Sequence, residues 1–165
     1  MEIHWAQGEL PEKITSGIFL AGPTPRSKDV KSWRPQALKI LEEVVKFEGD
    51  VFIPEFEGWT FDGTYAGQIE WERKALQLAH CIVFWVPRDL ETMPAFTTNI
   101  EFGEWHSSGK VVLGYPPETP KMKYFAHLAK EENIPQADTL TETLANAVEM
   151  TEQQAKDYAQ IASAE

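Results

Sequence analysis

Residues Cys81-Ile-Val-Phe-Trp-Val86 form an unbroken apolar run closed by Pro87. A strand without polar alternation has to be covered on both faces, and a parallel sheet between two helical layers is the usual way to cover it. Three weaker runs fit beside it. Gly17-Ile-Phe-Leu-Ala21 reads as a short buried strand, Val51-Phe-Ile53 as another stopped by Pro54, and Lys110-Val-Val-Leu113 as a fourth. Helical patterns separate them. Asp29 precedes Ala37, Leu38, Leu41, Val44 and Val45 at three-to-four spacing, and further helices are expected over Gln68–Ala79, Thr98–Ser107, Lys121–Glu132 and Thr139–Met150. Strands alternating with helices imply an α/β fold: one flavodoxin- or Rossmann-like three-layer domain with four or five parallel strands. The domain is expected over residues 1–150, with 151–165 a polar tail, helical or frayed. Met1 to Ser16 reads as polar, with Trp5 as an anchor.

The formal net charge is −11. Such a surface repels nucleic-acid polymers and anionic membranes, yet one or two local cations still suffice for a small phosphate. No stretch approaches the ~20 apolar residues of a membrane span, and no signal peptide precedes the first strand. The lone cysteine, Cys81, lies inside the apolar run and fits a reduced, cytoplasmic setting. His4, His80, His106 and His127 show no metal-ligand spacing, so neither a metal nor a cofactor is expected.

Ligands of such sheets bind beyond the carboxyl ends of the strands. Three segments meet there: the loop Gly22-Pro-Thr-Pro-Arg26, the loop Pro54 to Gly67 and the loop Pro87 to Phe96. Two carboxylates stand in unusual places nearby. On the helix from Gln68, Glu70, Arg73, Lys74 and Gln77 share one arc, whereas Glu72 falls among apolar residues, between Leu76 and Ala79. A carboxylate there pairs with an Arg and holds the fold, or stays protonated, or faces a cavity. Glu101 follows Thr98 at capping-box spacing. It either satisfies a backbone N–H alone, or is a carboxylate held ionised by the helix dipole and ready as a nucleophile. One ionised and one apolar carboxylate are the pair that glycosyl transfer employs.

The first loop is no phosphate cradle, because Pro23 and Pro25 lack N–H groups. Thr24, Arg26 and Ser27 can contact a phosphate by side chain; otherwise the loop is a rigid turn and Arg26 a surface charge. Trp59 and Phe61 either stack on a base or cover the core. No Ser/His/Asp or Cys/His spacing stands out.

Taken together, these segments resemble the nucleoside 2-deoxyribosyltransferase-like family. Ile18-Phe-Leu-Ala-Gly-Pro23 is similar to that family's first strand and loop, and Tyr65-Ala-Gly-Gln-Ile-Glu-Trp-Glu72 with Ala79-His-Cys-Ile-Val-Phe-Trp85 to its central helix and strand. Thr97-Thr-Asn-Ile-Glu-Phe-Gly103, with Ser108-Gly-Lys110 after it, resembles the family's nucleophile motif and the turn that follows. The likeness runs from Gly17 to about Tyr115. It implies a retaining double displacement at C1′ of a (deoxy)ribonucleoside or its 5′-phosphate, as a transferase or an N-glycosidase. Glu101 takes the nucleophile's position, and the acid/base position falls at Glu72, or at Glu70 if the helix phase differs. Gly22, Pro23, Thr24, Arg26, Trp59, Glu70 and Asn99 are the expected substrate contacts. The family's orienting Tyr corresponds to Phe19, and an Asp ahead of the nucleophile is replaced within Pro94-Ala-Phe-Thr. Those departures leave an alternative open: a nucleotide-binding or protein-interaction module without turnover. The resemblance also implies a homo-oligomer, dimer or larger, with a small-molecule nucleoside or nucleotide as partner.

Overall fold

The computed structural model describes residues 1–59 and 64–162; the side chains of Trp59 and 157–162 lie outside the described part. Six strands, β1 (Glu2–Trp5), β2 (Gly17–Ala21), β3 (Asp50–Ile53), β4 (Cys81–Trp85), β5 (Val111–Gly114) and β6 (Gln136–Ala137), form one sheet in the order β1-β3-β2-β4-β5-β6. Every pairing is parallel. Without β1, the order is that of a flavodoxin-like doubly wound sheet.

The apolar run becomes β4, in the middle of the sheet, and Ile82 and Phe84 are completely buried. Side chains alternate between two covered faces, as a period of two requires. Phe19, Phe52, Ile82, Phe84 and Leu113 pack under the helices α2 (Tyr65–Leu78), α3 (Phe96–Trp105) and α4 (Lys123–Glu131), through Trp71, Ala75, Phe102 and Phe125. Ile18, Leu20, Val51, Ile53, Val83 and Val112 pack under α1 (Arg34–Glu43) and α5 (Leu140–Ala162), through Ala37, Leu41, Leu144 and Ala147. Each fully covered side chain of this size is worth about 1.5–3 kcal/mol, so the sheet is held from both sides. No helix among the described residues is long and apolar enough to cross a membrane.

The structure departs from the sequence reading at four places. The sheet has six strands, not four or five, because β1 comes from the segment read as polar and β6 has only two residues. The first helix starts at Arg34, well after Asp29, with Pro35 in its first turn. The helix expected from Thr98 starts at Phe96. Finally, the helix expected to end at Met150 continues through the segment read as helical or frayed, so that α5 spans Leu140 to Ala162.

Candidate active site

The chain turns from β2 to β3 on one side and reaches β4 on the other, so the order of the sheet reverses between β2 and β4. A crevice opens at the carboxyl ends of strands at such a point. Here it is a cavity of about 260 Å³. Its walls come from the loop after β2 (Gly22 to Arg26), Pro54 after β3, one face of α2, and the segment Pro94–Thr98 with Glu101 of α3.

Gly22 begins the first wall with φ +146°, and a Cβ there would lie 2.1 Å from the Trp85 carbonyl oxygen. Only glycine fits such a close approach. The loop is then fastened from behind by Arg34, which is completely buried. Its guanidinium donates to the carbonyls of Leu20 (3.1 Å), Gly22 (2.8 Å) and Pro23 (3.5 Å), to Thr24 Oγ1 (3.2 Å) and to the Glu55 carboxylate (2.6 Å). A buried charge persists when it is both paired and hydrogen-bonded, and this one is. Trp33 Nε1 adds a bond to the Pro23 carbonyl at 3.1 Å. Arg26 projects from the loop, exposed, with its guanidinium 5.4 Å from the Phe96 ring centroid. Its backbone N–H donates to Thr92 and so ties the first loop to the loop before α3. Asp89 stiffens that second loop by accepting from the backbone N–H groups of Glu91 and Thr92 and from the Thr92 hydroxyl.

Glu72 reaches the cavity from α2. That helix is capped by Thr64, whose hydroxyl accepts from the Gly67 N–H, and it buries Trp71, Ala75 and Leu76. Gln68 Nε2 donates to the Glu72 carboxylate at 2.9 Å. Burial nonetheless raises the Glu72 pKa, against the opposing pull of Gln68 and Arg34.

Glu101 reaches the same cavity from α3. Its pKa is raised to about 7, first by burial and then by the negative charge of Glu72, with Arg34 opposing and Glu104 adding a little. The sequence offers two readings of Glu101, a capping carboxylate or one held ionised by the helix dipole, and the position of α3 suits neither. The cap of α3 is Ala95, in the left-handed region at φ 62°, and no side chain caps the helix. Thr98 is 2 % exposed and faces the interior. Glu101 therefore lies in the second turn, beyond the reach of the first-turn N–H groups, and no capping box forms.

Of the residues expected to contact a substrate, Gly22, Pro23, Thr24 and Arg26 line the cavity together with both carboxylates. Glu70 is exposed on the outer arc of α2, so the helix phase that selects Glu72 holds. Asn99 is not at this cavity. Its carbonyl oxygen accepts from Arg88, and it lines a groove on another face of α3. The expectations for Trp59 and Phe61 fall on side chains outside the described residues. The sequence reading missed Arg34, although a signal existed: with Ala37, Leu38 and Leu41 it occupies an apolar arc, the same irregularity that singled out Glu72. Gln68, Tyr65, Ile69 and Phe96 also line the cavity, the last three exposed; single residues of these types carry no signal of their own.

The resulting site holds two half-buried carboxylates with raised proton affinity and one cation at the mouth. Two carboxyls of raised proton affinity on one cavity are suited to proton transfer. No curated protein matches the chain. A family model described as nucleoside 2-deoxyribosyltransferase like matches residues 15–119, which span β2 to β5 and every wall of the cavity. With that match added to the flavodoxin-like sheet and the carboxylate pair, the chain belongs to the nucleoside 2-deoxyribosyltransferase-like family.

Proposed function

We propose that the protein cleaves the N-glycosidic bond of a (deoxy)ribonucleoside or its 5′-phosphate by a retaining double displacement. The observation that carries this reading is the convergence of Glu101 and Glu72 on one cavity at the reversal point of the sheet, in a chain of a family described by glycosyl transfer. In this reading the proton that Glu101 holds in the free protein passes to Glu72 as substrate binds, and the ionised Glu101 then attacks C1′ from the face opposite the base. The C1′–N bond breaks as the ester forms, and Glu72 gives the departing base its proton. Attack on the ester by a second base, or by water that Glu72 deprotonates, releases Glu101. A carboxyl whose pKa is raised by burial suits the acid role, and a neighbour that keeps one proton on the pair suits the nucleophile. The exposed rings of Tyr65 and Phe96 at the mouth suit a planar base, and Arg26 suits a 5′-phosphate.

In the same reading the chain works as a homo-oligomer. Phe96 and Ile100, at 67 % and 71 % exposure, supply apolar surface beside the cavity for a second copy.

The test is a screen of nucleosides and 5′-nucleotides for free-base release, with Arg26→Ala and Glu101→Gln in parallel. Release by the wild type and none by Glu101→Gln is expected. Arg26→Ala is expected to raise KM for nucleotides only. Release by Glu101→Gln at the wild-type rate would remove the mechanism. Tight nucleotide binding without release would instead support a binding module.

A further inference from the structure

The described structure buries two arginines, and they are treated differently. Arg34 is neutralised by Glu55. Arg88 is 8 % exposed, yet among the described residues no carboxylate pairs with it. One terminal nitrogen donates to the Lys121 carbonyl at 3.3 Å and the other to the Asn99 side-chain oxygen, both neutral acceptors. Its Nε has no partner among the described residues. Burial alone shifts its pKa downward, with no acidic neighbour opposing. In a chain of net charge −11, an unneutralised buried guanidinium marks a place where an anion is missing from the protein's own side chains.

Arg88 forms one end of a groove between α3 and α4, about 360 Å³ in volume. Phe102, Phe125 and Leu128 supply apolar wall, and the exposed Tyr124 and Lys121 flank the opening. The guanidinium lies 5.5 Å from the Phe125 ring centroid, which fixes its plane. The groove shares no lining residue with the carboxylate cavity, although α3 borders both.

We propose that this groove is a second ligand site, for a small organic oxyanion whose charged head rests on Arg88 and whose apolar body lies against Phe102, Phe125 and Leu128. A phosphate or carboxylate head fits the free donors of the guanidinium, and Lys121 adds a second cation at the rim. This site is independent of the chemistry proposed for Glu101.

Calorimetric titration of the whole chain with phenyl phosphate, benzoate and inorganic phosphate tests it. Phenyl phosphate or benzoate is expected to bind saturably, and the better of the two identifies the head group. Inorganic phosphate, lacking the apolar body, is expected to bind at least about tenfold more weakly. Arg88→Gln is expected to weaken binding at least about tenfold, but it risks the fold. Gly103→Leu avoids that risk. A Cβ at Gly103 meets no atom within 4 Å, and leucine favours a helix where glycine does not. The leucine side chain would plug the groove, so Gly103→Leu is expected to abolish binding while keeping or raising Tm. Arg26→Ala is expected to leave it unchanged. Binding that survives Gly103→Leu, binding lost in Arg26→Ala, or no saturable binding below about 10 mM would each overturn the proposal.

Discussion

Glu101 keeps its proton up to about pH 7 because burial and the charge of Glu72 both penalise its ionised form. In the unfolded chain the same carboxyl ionises near its ordinary value of 4.5. Between those values the folded state binds more protons, so each rise in pH costs stability until both forms are ionised. Glu101→Gln is therefore expected to lose turnover and to gain stability at pH 8, by up to about 3 kcal/mol, with little change at pH 4. Urea denaturation at the two pH values measures it, and equal effects at both would contradict the burial of this group. Arg34 is the counterpart. Arg34→Met takes the cation from the Glu55 carboxylate and the side-chain donor from the Leu20 and Gly22 carbonyls, while Pro23 keeps Trp33 and Glu55 keeps Ser32, an expected loss of about 3–5 kcal/mol. Arg34→Lys is expected to recover only part, since an ammonium cannot reproduce the planar fork. Glu72 was legible in the sequence because a charge on an apolar arc breaks a pattern. Glu101 was legible as a residue and misread as an environment. Nothing in Thr98-Asn-Ile-Glu101 shows that Ala95 turns left-handed and starts the helix two residues early.

Helix α2 carries Glu72 and is held at both ends by polar groups. Thr64 caps its start, and at the other end the Lys110 ammonium donates to the carbonyls of Leu76 (2.7 Å), Gln77 (3.2 Å) and Ala79 (2.9 Å). Those carbonyls have no helical partner, and a cation there also complements the helix dipole. Lys110 lies beside the Trp105 ring, 4.7 Å from its centroid, and so links the ends of α2 and α3. Lys110→Met is expected to cost about 1–3 kcal/mol and to fray α2 from Leu76 onward. Hydrogen exchange would register this as faster exchange in the last turn of α2; unchanged protection there would show the cap to be redundant. The elements legible from sequence were those with a strong period, β4 and the cores of α1 and α2. Both edge strands escaped. A two-residue β6 has no period to read, and β1 hides its character because Ile3 is 38 % exposed while His4, a polar residue, is buried. Half of the pattern is inverted by one hydrogen bond, between His4 and Asp50 at 2.8 Å.

At the scale of the molecule, the three-layer arrangement and the location of the cavity followed from alternation alone, because a doubly wound sheet offers one reversal point. The substrate's identity did not follow, since it depends on side chains at the mouth. Surface beside the mouth also governs assembly. If Phe96 and Ile100 meet a second copy, Ile100→Lys is expected to halve or further reduce the mass seen by sedimentation velocity, with a loss of no more than about 1 kcal/mol in stability. A wild-type protein that sediments as a monomer at micromolar concentration would refute this assembly. The edge strand β1 has a temporal consequence. Glu2 pairs with Asp50, so 48 residues separate the strand from its first partner. At about 5–20 residues per second, the ribosome takes roughly 2–10 s to make that partner after β1 itself. Throughout that interval Ile3 and Trp5 wait without a sheet to join. This strand is thus made well before its partner and docks late, as an edge added to a sheet already begun.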